Sequence, residues 1–215
     1  MGKLALFIDH PRCSVDGFNS ISSILQPYHK IKIFTRHVIP NDNFFDDIDA
    51  VVFPGGTGEA TDFERSMKNH KTKIRKYIDN GGRYLGICMG AYWAGDGYLN
   101  LLNDRTCVRY VNRPNSKTHR SHPKEIDFKW NGKNKTLYWY DGCSIIGKGK
   151  MDVVATYPNG DVMAGYQNRV GLIGCHLEAD EYWYSTHSWM KKKWKEDKKE
   201  NWNLLLDFTS DLLKR

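Results

Sequence analysis

A single cysteine, Cys88, stands between two glycines in the stretch "YLGICMGAYWAG". An apolar run precedes it and residues with a helical pattern follow it, which predicts a strand, a tight turn and a helix. Gly86 and Gly90 flank the cysteine, where side chains would obstruct the close approach of strand and helix. The N–H groups and positive dipole end of such a helix favour a thiolate. Cys88 is therefore a candidate nucleophile, and the alternative is an inert thiol in the core.

A nucleophile that attacks a carbonyl group also needs donors for the oxyanion that forms, and "FPGG" at residues 53–56 is placed to supply them. The turn ends a predicted strand, and the N–H of Gly55 or Gly56 could donate one hydrogen bond. The N–H of Met89 could donate the other, which is the arrangement that acyl transfer requires. The alternative is a turn that only terminates the strand.

The third chemical element is "CHLE" at residues 175–178, late in the chain. We expect His176 and Glu178 to share one face at the end of a core strand, because side chains two residues apart in a strand point the same way. His176 could hold the proton of Cys88 while Glu178 fixes the imidazole through Nδ1, as in a Cys-His-acid triad. The alternative is a core histidine and a carboxylate at a helix N-terminus.

Three further residues are candidates for contact with a substrate. Cys13 lies in the loop after the first predicted strand, on the crevice side, or is an ordinary loop residue. Glu59 follows the glycine turn and lines the pocket or caps the next helix. Tyr92, on the helix after Cys88, contacts a substrate or packs in the core. His119 and His122 have a metal-like spacing but no Cys or carboxylate partner nearby, so we expect neither a metal nor another cofactor.

The elements that must position these groups follow a β-α-β pattern. Phe18, Ile21, Ile24 and Leu25 have helical spacing, and a second apolar helical stripe runs from Phe63 to Asn80, where two glycines stop it. Strands that alternate with helices predict a parallel sheet with helices on both faces and ligands at the carboxyl ends of the strands. The predicted strands are 4–9, 30–35, 48–56 and 83–88.

The rest of the chain has a different pattern. Residues 103–142 are polar and aromatic, with short candidate strands at "TCVRYV", "IDFKW" and "TLYWYDG", and we expect a loop-and-hairpin elaboration over the sheet edge. Three β-like runs at 151–157, 161–167 and 170–178 predict an antiparallel meander that ends in a core strand. The tail has an apolar helical face suited to packing on the sheet. No linker is visible, so we expect residues 1–215 to form a single domain.

Composition limits the classes of function. The chain has 215 residues, a formal net charge of +7 and no apolar run near the roughly 18–20 residues of a membrane span. The five cysteines are an odd number without a C-x-x-C pair, so we expect reduced thiols and a soluble, cytoplasmic protein without a membrane partner. The basic run 191–200 is diluted by acidic residues and accompanies no nucleic-acid-binding motif. We therefore do not expect nucleic acid to be the partner.

The order of the three chemical elements resembles the class I glutamine amidotransferase superfamily. Within it, "FPGG", "YLGIC" and the late His-x-Glu, with an opening strand that ends in Asp9, resemble the biotin-protein ligase N-terminal domain-like proteins. The resemblance covers roughly residues 3–185. It implies a flavodoxin-like three-layer sandwich with a mainly parallel central sheet.

Carried over to this chain, the resemblance also implies roles for its residues. Cys88 is the nucleophile and His176 and Glu178 are its partners. The oxyanion donors are the amides of Gly55, Gly56 and Met89. Asp9, which ends the opening strand, joins Cys13, Glu59 and Tyr92 as a candidate for substrate binding.

Two departures from the superfamily leave the function open. Glutamine-hydrolysing members typically read G-x-C-x-G-x-Q, but here "GAYW" (90–93) brings no Gln, and Leu177 stands where H-P-E has its Pro. One hypothesis is thiol-dependent hydrolysis or acyl transfer on a small amide or carboxamide, with a partner protein as a candidate source of the acceptor. The other is a catalytically inactive binding or regulatory module. Biotin ligation is not implied, because no G-R-G-R-type ligase motif occurs in the chain.

Overall fold

The structure, a computed structural model, describes residues 1–39 and 43–215. Within this part of the chain every strand belongs to one mixed sheet, and α-helices cover it. The strands are β1 (Lys3–Phe7), β2 (Lys30–Phe34), β3 (Ala50–Phe53), β4 (Arg83–Ile87), β5 (Arg105–Arg109), β6 (Lys124–Trp130), β7 (Lys133–Trp139), β8 (Cys143–Gly147), β9 (Asp152–Thr156), β10 (Val162–Gln167) and β11 (Val170–Ile173). The α-helices are α1 (Val15–Leu25), α2 (Ala60–Met67), α3 (Lys71–Asp79), α4 (Met89–Ala94), α5 (Glu181–Ser185) and α6 (Glu200–Leu212).

One half of the sheet is parallel and has the order β2-β1-β3-β4-β11. This is the flavodoxin-like order, with β11 as its fifth strand, so the predicted fold class is confirmed. The carboxyl ends of β3, β4 and β11 meet at one edge of the sheet. That edge carries the FPGG turn, Cys88 and the His-x-Glu segment.

Alternation along β1 shows how the layers are built. Leu4 and Leu6 face a core formed with α1 and α6, whereas Ala5 and Phe7 face a core formed with α2, α3 and α4. Both faces of the strand are fully buried, as expected for a parallel strand covered by helices on two sides.

The single helix predicted over residues 63–80 is wrong. The segment contains α2 and α3, separated by a turn of 3₁₀-helix at Lys68–His70. Phe63, Met67 and Ile74 are all fully buried, so the apolar stripe stays in phase across the bend. For that reason the pattern of residue types does not reveal the break.

The expectation for residues 103–142 also needs correction, because much of this segment extends the sheet instead of lying over its edge. The β6–β7 hairpin pairs with β9 and forms the far edge of the sheet, and β5 pairs with β8, which in turn pairs with β10. Strand β8 was not predicted. Its place is decided by pairing with distant segments, which leaves no local signal.

The predicted meander is present as β9, β10 and β11, and the last of these is parallel to β4. The tail forms α6 as predicted, with Leu205, Phe208 and Leu212 buried. In the part of the chain that the structure describes, none of the helices combines the length and apolar character needed to span a membrane.

Candidate active site

Cys88 occupies the turn between β4 and α4, as the sequence predicts. Its backbone has φ +50° and ψ −107°, a conformation that L-residues other than glycine adopt rarely and at a cost. The Cys88 N–H donates to the carbonyl oxygen of Ile173 at 2.8 Å, and the Gly90 N–H donates to that of Pro54 at 3.2 Å. The two neighbouring strand ends therefore hold the turn in place.

The two glycines beside Cys88 allow the close approach that was predicted for them. A Cβ on Gly90 would lie 2.1 Å from the carbonyl oxygen of Phe53, and one on Gly86 would lie 2.6 Å from the carbonyl oxygen of Gly90. Both contacts are with backbone atoms, which cannot rotate away. Glycine is required at both positions for α4 to pack this tightly on the sheet.

His176 and Glu178 lie together, but not for the reason expected from the sequence. β11 ends at Ile173, and His176 forms only an isolated bridge with Tyr138 before the chain turns. At Gly174 the N–H donates to Met163 and the carbonyl accepts from Cys143, so the chain is tied down where the strand ends. The predicted strand over residues 170–178 is therefore four residues long, and a turn brings His176 to Glu178.

The imidazole of His176 is held between a carboxylate and the thiol. His176 Nδ1 lies 2.9 Å from Glu178 Oε1, and Cys88, whose Sγ lies 3.9 Å from the carbonyl oxygen of Tyr140, is close to the same ring. His176 and Glu178 are almost completely buried. Burial lowers the pKa of His176, but its interactions with the nearby side chains of Cys88 and Glu178 outweigh it and raise the pKa to about 10.

The FPGG turn lies directly beside this pair. A Cβ on Gly55 would lie 2.8 Å from His176 Cε1 and 3.7 Å from Cys88 Cβ, so only glycine leaves room for the ring. The turn is anchored on the first loop, where the Ser14 N–H donates to the Gly55 carbonyl at 3.0 Å. Among the described residues, none accepts a hydrogen bond from the N–H groups of Gly55, Gly56 and Met89.

Cys88 and His176 open into a cavity of about 460 Å³. Four other residues singled out in the sequence line it with them, and these are Gly56, Glu59, Met89 and Tyr92. Gly56 and Glu59 follow β3, and Met89 and Tyr92 lie in α4 directly after β4, so two neighbouring strands bring them to one place.

Asp9 and Cys13 are not brought to the cavity. Asp9 is buried and forms ion pairs with Arg12 at 3.5 Å and Arg36 at 3.1 Å. Cys13 is fully buried, and burial raises the pKa of its thiol to about 12. Its Sγ lies 3.9 Å from the carbonyl oxygen of Gly55, so the side chain packs against the glycine turn. Because it is fully buried, a substrate cannot reach it.

Sequence reasoning missed the outer wall of the cavity. Arg109 at the end of β5 pairs with Asp141, with Nε 3.1 Å from Oδ1, and donates to Ser121 Oγ at 3.0 Å. Glu59 Oε1 lies 3.9 Å from the same guanidinium group. These residues come from separate loops and strands, and no motif in the sequence connects them.

Tyr92 takes the place at which the superfamily pattern has its Gln, counted along G-x-C-x-G-x-Q. Its hydroxyl donates to the carbonyl oxygens of Asp141 and Gly142 at 3.2 and 3.3 Å, so it ties α4 to the outer wall. The next residue, Trp93, is fully buried on the other side of α4, and its Nε1 donates to Glu64 at 3.1 Å. Tyr92 alone of these two reaches the cavity.

Comparison with known proteins agrees with this architecture. Residues 11–100 match the model of the family described as "Biotin-protein ligase, N terminal". A glutamine amidotransferase from Thermotoga maritima has a TM-score of 0.69 at 11% identity, covering 100% of this chain and 99% of that one. A second glutamine amidotransferase has a TM-score of 0.62 at 16% identity, covering 81% of this chain and 90% of that one.

The N-terminal domain of mmIFT52 is also similar, with a TM-score of 0.61 at 13% identity, covering 99% of this chain and 97% of that domain. No curated protein matches the chain. At these identities the solved structures establish the fold alone. The chain thus has a glutamine amidotransferase-like fold, and its resemblance to the biotin-protein ligase N-terminal family is confirmed over residues 11–100.

Proposed function

We propose that this protein is a cysteine-dependent amide hydrolase or acyl transferase in which Cys88 is the nucleophile. The observation that carries the proposal is the buried His176, whose Nδ1 is hydrogen-bonded to Glu178 and whose ring lines one cavity together with Cys88. A raised His176 pKa favours an imidazolium beside a thiolate, which is the reactive form of a Cys-His pair.

The proposed reaction has two halves. The Cys88 thiolate attacks the amide carbonyl carbon, and the N–H groups of Gly55 or Gly56 and Met89 stabilise the oxyanion. Collapse of this tetrahedral intermediate breaks the C–N bond, and His176 gives its proton to the leaving amine. Water or an amine acceptor then attacks the thioester and passes a proton to His176. The acyl group leaves with its new partner and the thiolate is restored.

Glu178 has a supporting role in this scheme. It lies 2.9 Å from Nδ1 of His176, which leaves Nε2 as the nitrogen that exchanges a proton with sulfur and substrate. Because Glu178 is fully buried, its charge acts on the imidazolium with little screening by solvent.

The test is ammonia release from a panel of glutamine, asparagine and small carboxamides. Cys107 provides a matched control, because its thiol lines the same cavity. We expect Cys88→Ala to lower the rate at least about a hundredfold while Cys107→Ala retains it. Equal release by wild type and Cys88→Ala on every active amide would contradict the proposal.

A binding or regulatory module is the second candidate function, and Tyr92 is the residue that favours it. Its side chain fills the position of the glutaminase Gln and is already hydrogen-bonded to the outer wall. In this case a small carboxamide binds in the cavity with equal affinity in wild type and Cys88→Ala, and neither protein turns it over. Isothermal titration with the same panel separates the two functions.

A further inference from the structure

The imidazole ring of His176 packs against two aromatic side chains, Trp183 and Tyr138. The ring centroids of His176 and Trp183 lie 4.9 Å apart with a tilt of 48°. Tyr138, from β7, lies edge-on with its centroid 6.3 Å from that of His176. Neither aromatic residue belongs to the predicted triad.

Trp183 is itself held firmly in place. It lies in α5, and its backbone N–H donates to Oδ1 of Asp180. Oδ2 of the same carboxylate accepts a hydrogen bond from the hydroxyl of Ser20 in α1. The indole makes a T-shaped contact with Tyr138 at 5.4 Å, and a Cβ on Gly17 would lie 3.6 Å from Cζ2 of its ring. α1, α5 and β7 therefore fix the position of the indole against the imidazole.

An aromatic face this close attracts a positive charge. A cation within about 6 Å of an indole centroid is stabilised by the electron-rich face of the ring. The buried Nε1–H of Trp183 has no hydrogen-bond partner among the described residues. The contribution of the side chain is therefore its ring and not its N–H group.

The other residues that face His176 are two charge partners, a neutral phenol and a glycine. Cys88 faces it from the turn before α4, and Glu178 from its own segment. Burial raises the pKa of Tyr138 above its ordinary value, so this phenol stays neutral. Gly55, at the end of β3, brings no titratable group.

We propose that Trp183 is a positioning residue, which keeps His176 beside Cys88 and stabilises the imidazolium through the face of its indole ring. The proposal rests on the proposed function, since Trp183 acts through the His176 of that site. The residue would then serve the reaction without touching the substrate.

The experiment compares Trp183→Leu, which removes the aromatic face, with Trp183→Phe, which keeps one. Trp189→Leu is the matched control, because Trp189 also stacks on a histidine, His187, at 4.9 Å but is exposed and does not line the cavity. Two quantities are measured on each protein. One is the NMR titration midpoint of the His176 ring, and the other is the rate of Cys88 alkylation by iodoacetamide between pH 5.5 and 9.

For Trp183→Leu we expect the His176 midpoint to fall by about half a pH unit or more. We expect the alkylation rate at pH 6.5 to fall about threefold or more, with the rising limb of the pH profile moved to higher pH. Trp183→Phe should stay within about twofold of wild type, and Trp189→Leu should match it. Far-UV and near-UV circular dichroism confirm that each variant is folded.

An unchanged His176 midpoint in folded Trp183→Leu would overturn the inference, and so would an equal loss in Trp183→Phe. The proposed function fails separately if wild-type Cys88 is alkylated no faster than free cysteine near neutral pH. In that event a lower His176 midpoint in Trp183→Leu would still support the contact between indole and imidazolium.

Discussion

Gly55 leaves no room for a side chain at the site, because the imidazole of His176 lies where a Cβ would make close contact. In Gly55→Ala the new methyl group would be 2.8 Å from Cε1 of a ring that Glu178 and Trp183 hold from the other sides. We expect the ring to be displaced from Cys88 and the alkylation rate by iodoacetamide at pH 7 to fall about tenfold. The free energy of unfolding should fall by about 1–3 kcal/mol.

The control for this prediction is Gly58→Ala in the same loop. Its new Cβ would meet Oδ2 of Asp62, the end of a flexible side chain that can rotate away. Alkylation should remain close to the wild-type rate. An unchanged rate in Gly55→Ala would show that the contact between His176 and Cys88 does not depend on this glycine.

The charge of His176 also predicts how stability depends on pH. Its pKa in the folded state is about 10, above the ordinary value of 6.5 that applies to the unfolded chain. A raised pKa stabilises the fold fully below pH 6.5, and this contribution is lost as the pH rises through about 10. The difference in unfolding free energy between wild type and His176→Asn should therefore shrink from pH 6 to pH 10.

Urea unfolding of the two proteins, under reducing conditions, measures that difference at each pH. Taking the difference cancels the titration of groups remote from His176, which both proteins share. A difference that stays constant across the range would contradict a charged His176 in the native state.

At the scale of elements, the turn from β4 into α4 depends on how closely the helix approaches β3. Gly90→Ala would place a Cβ 2.1 Å from the Phe53 carbonyl oxygen, so α4 would have to move as a unit. We expect the unfolding free energy to fall by about 2 kcal/mol or more, together with slower alkylation of Cys88. Chemical denaturation and the iodoacetamide rate measure the two effects.

Gly132→Ala serves as the comparison, because Gly132 has φ +78° and no atom within 4 Å of the added Cβ. Its cost should be only the backbone strain of about 1–2 kcal/mol, with alkylation unchanged. If Gly90→Ala behaved in the same way as Gly132→Ala, close packing of α4 would not be what positions the thiol.

At the scale of the whole molecule, the core around α6 stabilises the sheet without lining the cavity. Phe208 is 1% exposed, stacks on Tyr166 at 4.1 Å and contacts Trp130 at 5.9 Å. Phe208→Ala should lower the unfolding free energy by about 3–5 kcal/mol. The alkylation rate of the folded fraction should not change, and a combined urea and alkylation experiment tests this separation. A selective loss of Cys88 reactivity would show that α6 and the site are coupled.

Much of the parallel half of the molecule could be predicted from the sequence, because its signals are local. Apolar runs and helical stripes identify β1 to β4 and their order along the chain. The glycines beside Cys88 predict a tight turn, because only a residue without a side chain permits so close an approach of helix and strand. The break between α2 and α3 was not predicted, because the apolar stripe continues through the bend.

The residue types alone predict the turn at Cys88, the glycine turn and the late His-x-Glu pair, since each depends on residues only a few positions apart. Tertiary contacts place His176 in a turn and not in a strand. They also bring Arg109, Ser121 and Asp141 to the cavity and pack Trp183 on the imidazole. The reason is that these contacts join segments far apart in the chain. They depend on how the antiparallel half of the sheet and the loops after it join the parallel half, and no local pattern of residue types encodes that geometry.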